Sequence, residues 1–327
     1  MGKEPAPRVG VAVKKEAPVL SASDVKQTVS SIKFEAGDFN TQVSELDALL
    51  ESDKLGLWKA ATNSAVGTNS PAPLRPYAVS LNFLETRTGG KITADSLGVG
   101  GKDDVSLDDF KYATLGVTLG SSIAGVASLA FLPENVGASF CYFFAIIPIL
   151  FLGIGSTAPG IIAGAIASIR NSPEEAGEQV DRVCRHEAGH FLCGYLCGLP
   201  IKGYSANDLG VPCVEFFPST DGEAMGRELS SEEISAMSVV AMSGSVAEVL
   251  KFGEAKGGDN DLIELDFLMR RSSDFVGAEK QQDLTRWGAL TAYNIINANE
   301  DKFERLVEAF KGKKSVSDCI AAIEGTN

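Results

Sequence analysis

The only two histidines in the 327-residue chain, His186 and His190, stand four apart, and Glu187 directly follows the first. Residues four apart on an α-helix share a face, so both imidazoles can reach a single ion. Glu187, one step round, can touch the water that fills an open zinc position and take its proton. Chance would set two histidines at this spacing, with glutamate in this slot, roughly once in a thousand chains or less. A catalytic zinc needs three protein ligands and one open position, so without a third histidine a carboxylate must serve. Chemistry alone leaves Glu215, Glu248, Asp259, Asp261 and Asp266 as candidates. Cys193 and Cys197 continue the histidine face. One straight helix cannot wrap four ligands round one ion, so these cysteines read as small packing residues.

Several elements must position these groups. Ser172-Pro173-Glu174-Glu175 reads as an N-cap, a proline at the first helical position and a capping-box glutamate. Gly198-Leu199-Pro200 supplies the stop, which puts the motif in the later half of a long helix. Gly189 and Gly194 inside it each cost about 1 kcal/mol against alanine, which suggests another backbone packing closely there. Ser230-Ser231-Glu232-Glu233 is a second capping box. It opens a helix to about Lys251 whose Ala241, Gly244, Ser245 and Ala247 would allow close approach to the motif helix. Between the two helices, residues 201–217 look extended, with a turn at Asn207-Asp208; such a strand can bind a substrate backbone by strand addition. Beyond the turn Gly257-Gly258-Asp259-Asn260-Asp261-Leu262, two more amphipathic helices are expected.

Residues 1–30 lack apolar periodicity and are expected to be a disordered tail with no secretory signal. Residues 31–112 are expected to form a small α+β region. Val43, Leu46, Leu49 and Leu50 recur at helical spacing, and Tyr77, Val79, Leu81 and Phe83 alternate like a half-buried strand before a Gly89-Gly90 turn. Gly98-Val99-Gly100-Gly101-Lys102 is not a phosphate loop, because Asp103 follows the lysine and the first glycine is missing. Residues 113–169 read as a transmembrane helical hairpin. An uncharged run from Ala113 to Leu132 is long enough to cross a bilayer, Pro133-Glu134-Asn135 makes the turn, and Val136 to Ile169 forms a second run bent at Pro148 and Pro159. Lys102 and Lys111 before the first run, with Arg170, Arg182 and Arg185 after the second, place both ends on one side of the membrane. Residues 170–327 then carry the chemistry.

A formal charge of −14 argues against nucleic acid as a partner, since binding phosphates needs a basic surface. The six cysteines show no disulfide framework and read as reduced thiols.

The pentad His186-Glu187-Ala188-Gly189-His190 is followed in order by Gly244, Ala247-Glu248, Phe252-Gly253 and Gly257 through Asp261-Leu262. This series resembles the peptidase domain of the FtsH family of membrane-anchored zinc proteases, from about Val180 onward. Leu284-Thr285-Arg286-Trp287 and the run Cys319 to Glu324 are similar to the plant and algal plastid FtsH-like membrane proteins that lack the AAA+ ATPase domain. The resemblance implies a mainly α fold with a small β element: a membrane helical hairpin plus a zincin-type helical peptidase domain. It implies Zn2+ held by His186, His190 and Asp261, with Glu187 as the catalytic base. It also implies a plastid membrane, thylakoid or inner envelope, with both termini on the stromal side.

The chain departs from the family in having no Walker motif, and Leu265-Asp266 stands where members usually carry Ala-Thr. A peptidase without a motor cannot pull folded proteins apart. Loosely folded protein or peptide substrates, or help from a separate AAA+ ATPase or FtsH complex, are therefore expected. Three functions remain to be weighed. The first is a membrane-anchored zinc metalloendopeptidase. The second is a non-proteolytic membrane scaffold or assembly partner that retains a metal site, against which the intact Glu187 argues. The third, an intramembrane protease, fits poorly with Asp181, Arg182 and Arg185 around the motif.

Overall fold

The computed structural model describes residues 20–34, 37–62, 74–98, 107–157, 162, 173–206, 212–217, 228–274 and 276–325. Among them the chain is mainly helical, with eleven helices and one two-stranded sheet. Two compact units are formed, Met1–Gly100 together with Val180–Asn327, and Gly101–Gln179.

In the second unit, α4 (Leu107–Phe131) and α5 (Glu134–Thr157) pack against each other. Gly137 lets the helices meet, since a Cβ there would lie 2.6 Å from the Ser128 carbonyl oxygen. Ser128 Oγ donates to the Gly137 carbonyl at 3.1 Å, and Phe110 stacks on Phe151 at 5.7 Å. Pro148 lies inside α5. Leu115, Leu119, Ile123, Phe143, Ile149 and Leu150 point outward, exposed. The second apolar run was expected to continue to residue 169; past Thr157 it lies outside the described residues, Ile162 excepted.

The first unit is built on α6 (Pro173–Leu196) and α7 (Ser231–Phe252). Helix α6 starts at the expected proline and ends in a Schellman turn, with Gly198 at φ +79° and Leu199 N–H donating to the Gly194 carbonyl. Ser230 and Glu233 form the capping box of α7, and Gly253 closes it in the left-handed conformation. Three described helices, α4, α5 and α7, are long and apolar enough to cross a membrane. Of the apolar window in α7, 78% is buried inside the protein, against 17% and 6% in α4 and α5.

Strands β1 (Ile201–Ser205) and β2 (Cys213–Phe216) pair antiparallel, as the extended stretch suggests; the turn expected at Asn207-Asp208 lies outside the described residues. Four helices follow α7 rather than two after the turn: α8 (Asp259–Met269), α9 (Ala278–Ala298), α10 (Glu300–Lys311) and α11 (Val316–Glu324). Asn299 separates α9 from α10, and a Ser315–Asp318 capping box starts α11.

The N-terminal segments depart from expectation in two places. Within residues 1–30, Ala22–Val29 form helix α1, capped by Ser21, with Val25 and Val29 fully buried. This short helix packs on α11, where Lys26 pairs with Asp318 at 2.6 Å. No strand forms at Tyr77 to Phe83. Ser80 caps helix α3 (Leu81–Arg87) instead, so of the stretch only Val79 is buried, with Leu84 just beyond it. A local cap overrode the alternation. The predicted helix around Val43 to Leu50 is α2 (Phe39–Glu51), and Gly89 and Gly90 do make the positive-φ turn.

The segment after α2 closes over the end of α6. Ala61 N–H donates to the Leu196 carbonyl at 2.9 Å, and Trp58 packs on Tyr195 at 5.2 Å. The Glu324 carboxylate gathers the N–H groups of Gly56, Leu57 and Trp58 and the Tyr195 hydroxyl within 3.1 Å.

Candidate metal centre

The spacing of His186 and His190 does on α6 what helical geometry requires: their rings lie 4.8 Å apart on one face. Helix α7 crosses close behind them. A Cβ on Gly189 would sit 2.6 Å from the Ser243 carbonyl oxygen, and one on Gly244 would run into the His186 ring. Gly189 thus lets the α7 backbone approach, and Gly244 leaves room for the His186 imidazole. Gly194 instead makes room for the Phe216 ring of β2.

Each histidine is oriented through its Nδ1. That of His190 faces the Val240 carbonyl at 2.8 Å and Ser243 Oγ at 3.3 Å. That of His186 faces Glu248 Oε1 at 2.7 Å. These acceptors assign the Nδ1 protons and direct both Nε2 atoms toward Asp261. Asp261 Oδ2 lies 2.9 Å from His186 Nε2 and 3.4 Å from His190 Nε2. One ligand atom from each of the three residues falls within 4.8 Å of the others. Ligands about 2 Å from a shared metal ion stand about 3.3 Å apart, close to the 2.9 and 3.4 Å that separate Asp261 Oδ2 from the two imidazoles. A buried His-His-Asp group able to hold a metal ion is thus present.

Asp261 reaches the site because Gly258, at φ +109°, turns the chain sharply into α8, whose first turn carries the aspartate. Burial disfavours charge on His186. The hydrogen bonds to Asp261 and Glu248 outweigh that cost, and its pKa is pushed up to about 10. Burial also works against the Asp261 charge, but the two histidines hold its carboxyl well below the usual range. Glu187 is 5% exposed, and burial raises its pKa. Its Oε2 has no hydrogen-bond partner among the described residues.

Of the other carboxylates that chemistry left open, Glu248 stands behind His186 on Nδ1, on the side away from Asp261. Glu215 pairs with Lys202 at 3.1 Å, and Asp266 with Arg270 at 2.6 Å. Asp259 is exposed at the start of α8. Cys193 and Cys197 are buried packing residues, the latter with its thiol pushed up to about 12 by burial.

Sequence reasoning missed Arg182. Its position one turn before His186 was the available signal, and the structure buries it against Glu248. The chain matches no protein-family model, no curated protein and no solved structure.

Proposed function

We propose that this chain is a membrane-anchored zinc metalloendopeptidase. What carries the reading is the convergence of His186, His190 and Asp261 within 4.8 Å beside a buried, unpartnered Glu187 oxygen. A bound Zn2+ supplies Lewis acidity there, polarising a scissile carbonyl and lowering the pKa of water. Both Nε2 atoms and Asp261 Oδ2 would hold the ion. Glu187 then takes a proton from the attacking water as the oxygen–carbon bond forms. It returns a proton to the amide nitrogen as the carbon–nitrogen bond breaks, so the step needs no further reactant. A site that only held the fold together would have no use for such a base.

In the same reading α4 and α5 anchor the protein as a two-span hairpin, while the charged surface of the first unit stays in water. The basic residues outside both runs put both termini on one side, and the family resemblance makes that side the plastid stroma. Tags at the two ends should be equally accessible to added protease; opposite accessibility would remove the hairpin.

Metal analysis with a casein cleavage assay tests the chemistry. Wild type should hold about one zinc per chain and cleave. Glu187→Gln should keep the metal and lose roughly 10²–10⁴-fold in rate, because glutamine cannot accept the proton. Asp261→Ala should lower zinc occupancy, with Asp259→Ala as the control that retains it. Zinc bound at one per chain without any cleavage would turn the assignment to a scaffold with a metal site. A Glu187→Gln variant as active as wild type would end the peptidase mechanism.

A further inference from the structure

We propose that Arg182 is a positioning residue that fixes two of the three metal-site groups, His186 through Glu248 and Asp261 through the turn at residues 254–258. The inference rests on the metal-site reading above. Arg182 lies on α6 one helical turn before His186 and is 5% exposed. Its Nη1 donates to Glu248 Oε2 at 3.1 Å and to the Glu254 carbonyl at 2.8 Å. Its guanidinium carbon sits 4.1 Å from the centroid of the Phe252 ring. A long side chain that would otherwise sample many rotamers is thereby held by a carboxylate, a carbonyl and an aromatic face.

Glu248 passes this constraint on. Its Oε2 is shared between Arg182 and Lys256 N–H at 3.0 Å, and its Oε1 between Gly257 N–H at 3.2 Å and His186 Nδ1 at 2.7 Å. With both oxygens saturated, the carboxylate has one orientation, and so has the imidazole it holds. Arg182 also binds the turn directly. Glu254, Lys256 and Gly257 lead into Gly258, and the turn there aims Asp261 at the histidines. Two ligands that come from different helices are therefore referred to one guanidinium.

Stability alone explains the arrangement poorly. The Arg182–Glu248 pair is buried on both sides, at 6% and 2% exposure, and desolvation offsets most of the attraction in such pairs. Arg185, the next buried arginine on α6, provides the contrast. Its carboxylates, Glu304 at 2.6 Å and Asp181 at 3.1 Å, belong to the α6–α10 contact and touch no metal-site group.

The test uses full-length protein in detergent, with Co2+ as the probe. Affinity is read by chelator competition, ligand geometry by the visible absorption bands, and folding by thermal unfolding. Arg182→Met should weaken Co2+ binding about 10–100-fold and change the bands, as loss of groups that orient metal ligands commonly does. Arg182→Lys should recover part of the affinity. Arg185→Met should lower the unfolding temperature and leave affinity and bands unchanged.

The double variant Arg182→Met/Glu248→Gln should bind Co2+ only a few-fold more weakly than Glu248→Gln alone, because the route to His186 is already cut and only the direct hold on the turn is lost further. That comparison decides the matter even where Arg182→Met fails to fold, since the double variant removes the Arg182 and Glu248 charges together. Wild-type affinity and bands in folded Arg182→Met would overturn the proposal while leaving the metal site intact. A double variant weaker than Glu248→Gln by the full factor of about 10–100-fold would overturn the route through Glu248. Wild-type protein that binds no Co2+ would overturn the metal-site reading, and this proposal with it.

Discussion

Two helix pairs of similar length, α4–α5 and α6–α7, put similar residues to opposite uses. Both close through small residues, Gly137 against Ser128 in one and Gly189 against Ser243 in the other. The α4–α5 pair turns Leu, Ile and Phe side chains outward along its length. The α6–α7 pair turns its apolar residues into a protein core and keeps buried polar groups between the helices: Arg182, His186, Glu187 and His190 from α6, and Ser243 and Glu248 from α7. A hydrocarbon-facing pair cannot afford such groups, whereas inside the protein Arg182 and His186 find Glu248, and His190 finds Val240 and Ser243, on the facing helix. Hydropathy marks α7 as a possible span as readily as α4. Burial separates them: most of the apolar surface of α7 is already covered.

Charge placed in the two pairs gives the largest contrast. Val239→Arg puts an unpaired charge at a fully buried position of α7, and its cost of several kcal/mol should unfold the first unit, read by loss of the thermal transition. Ile149→Arg, at an outward position of α5, should leave that unit folded and reduce membrane insertion by about 2.5–3.5 kcal/mol, read by alkaline extraction. The reverse pattern would exchange the assignments of the two apolar helices.

Glycine substitution probes the seams with smaller effects. Gly189→Ala forces a methyl against the Ser243 carbonyl and the Ala247 side chain and should destabilise by about 1–3 kcal/mol, seen in chemical denaturation. Gly116→Ala, with open space around it in α4, should be neutral or stabilising by up to about 1 kcal/mol. Equal losses at both positions would mean that the outward face of α4 is itself packed.

Acid should give the mildest contrast. Burial raises the Asp181 pKa, but hydrogen bonds from Lys311 and Arg185 outweigh this and lower it; the Arg185 hydrogen bond likewise lowers that of Glu304. Groups depressed in this way contribute stability above their unfolded values of about 4, and it is lost as pH falls through the folded ones. The unfolding temperature of the first unit should therefore drop between about pH 5 and pH 3 while the helical signal of α4–α5 persists. A flat profile would show that these pairs contribute nothing to the fold.

Local chemistry made much of this legible in advance. A four-residue spacing fixes which side of a helix two histidines share, and Ser230–Glu233 and Gly198 mark helix ends through hydrogen bonds made within a few residues. Uncharged runs between Lys111 and Arg170 give a hairpin by length alone. What the sequence left open turned on contacts between distant segments. Five carboxylates were chemically eligible to join His186 and His190; the turn at Gly258 sets Asp261 before Nε2, and the crossing of α7 sets Glu248 behind Nδ1. Tyr77 to Phe83 alternated like a strand, but a strand needs a partner, and Ser80 offered a helix cap first. Arg182 looked like a flanking charge until α7 and the 254–258 turn closed over it. Its surroundings come from residues more than sixty positions away, which no local pattern encodes.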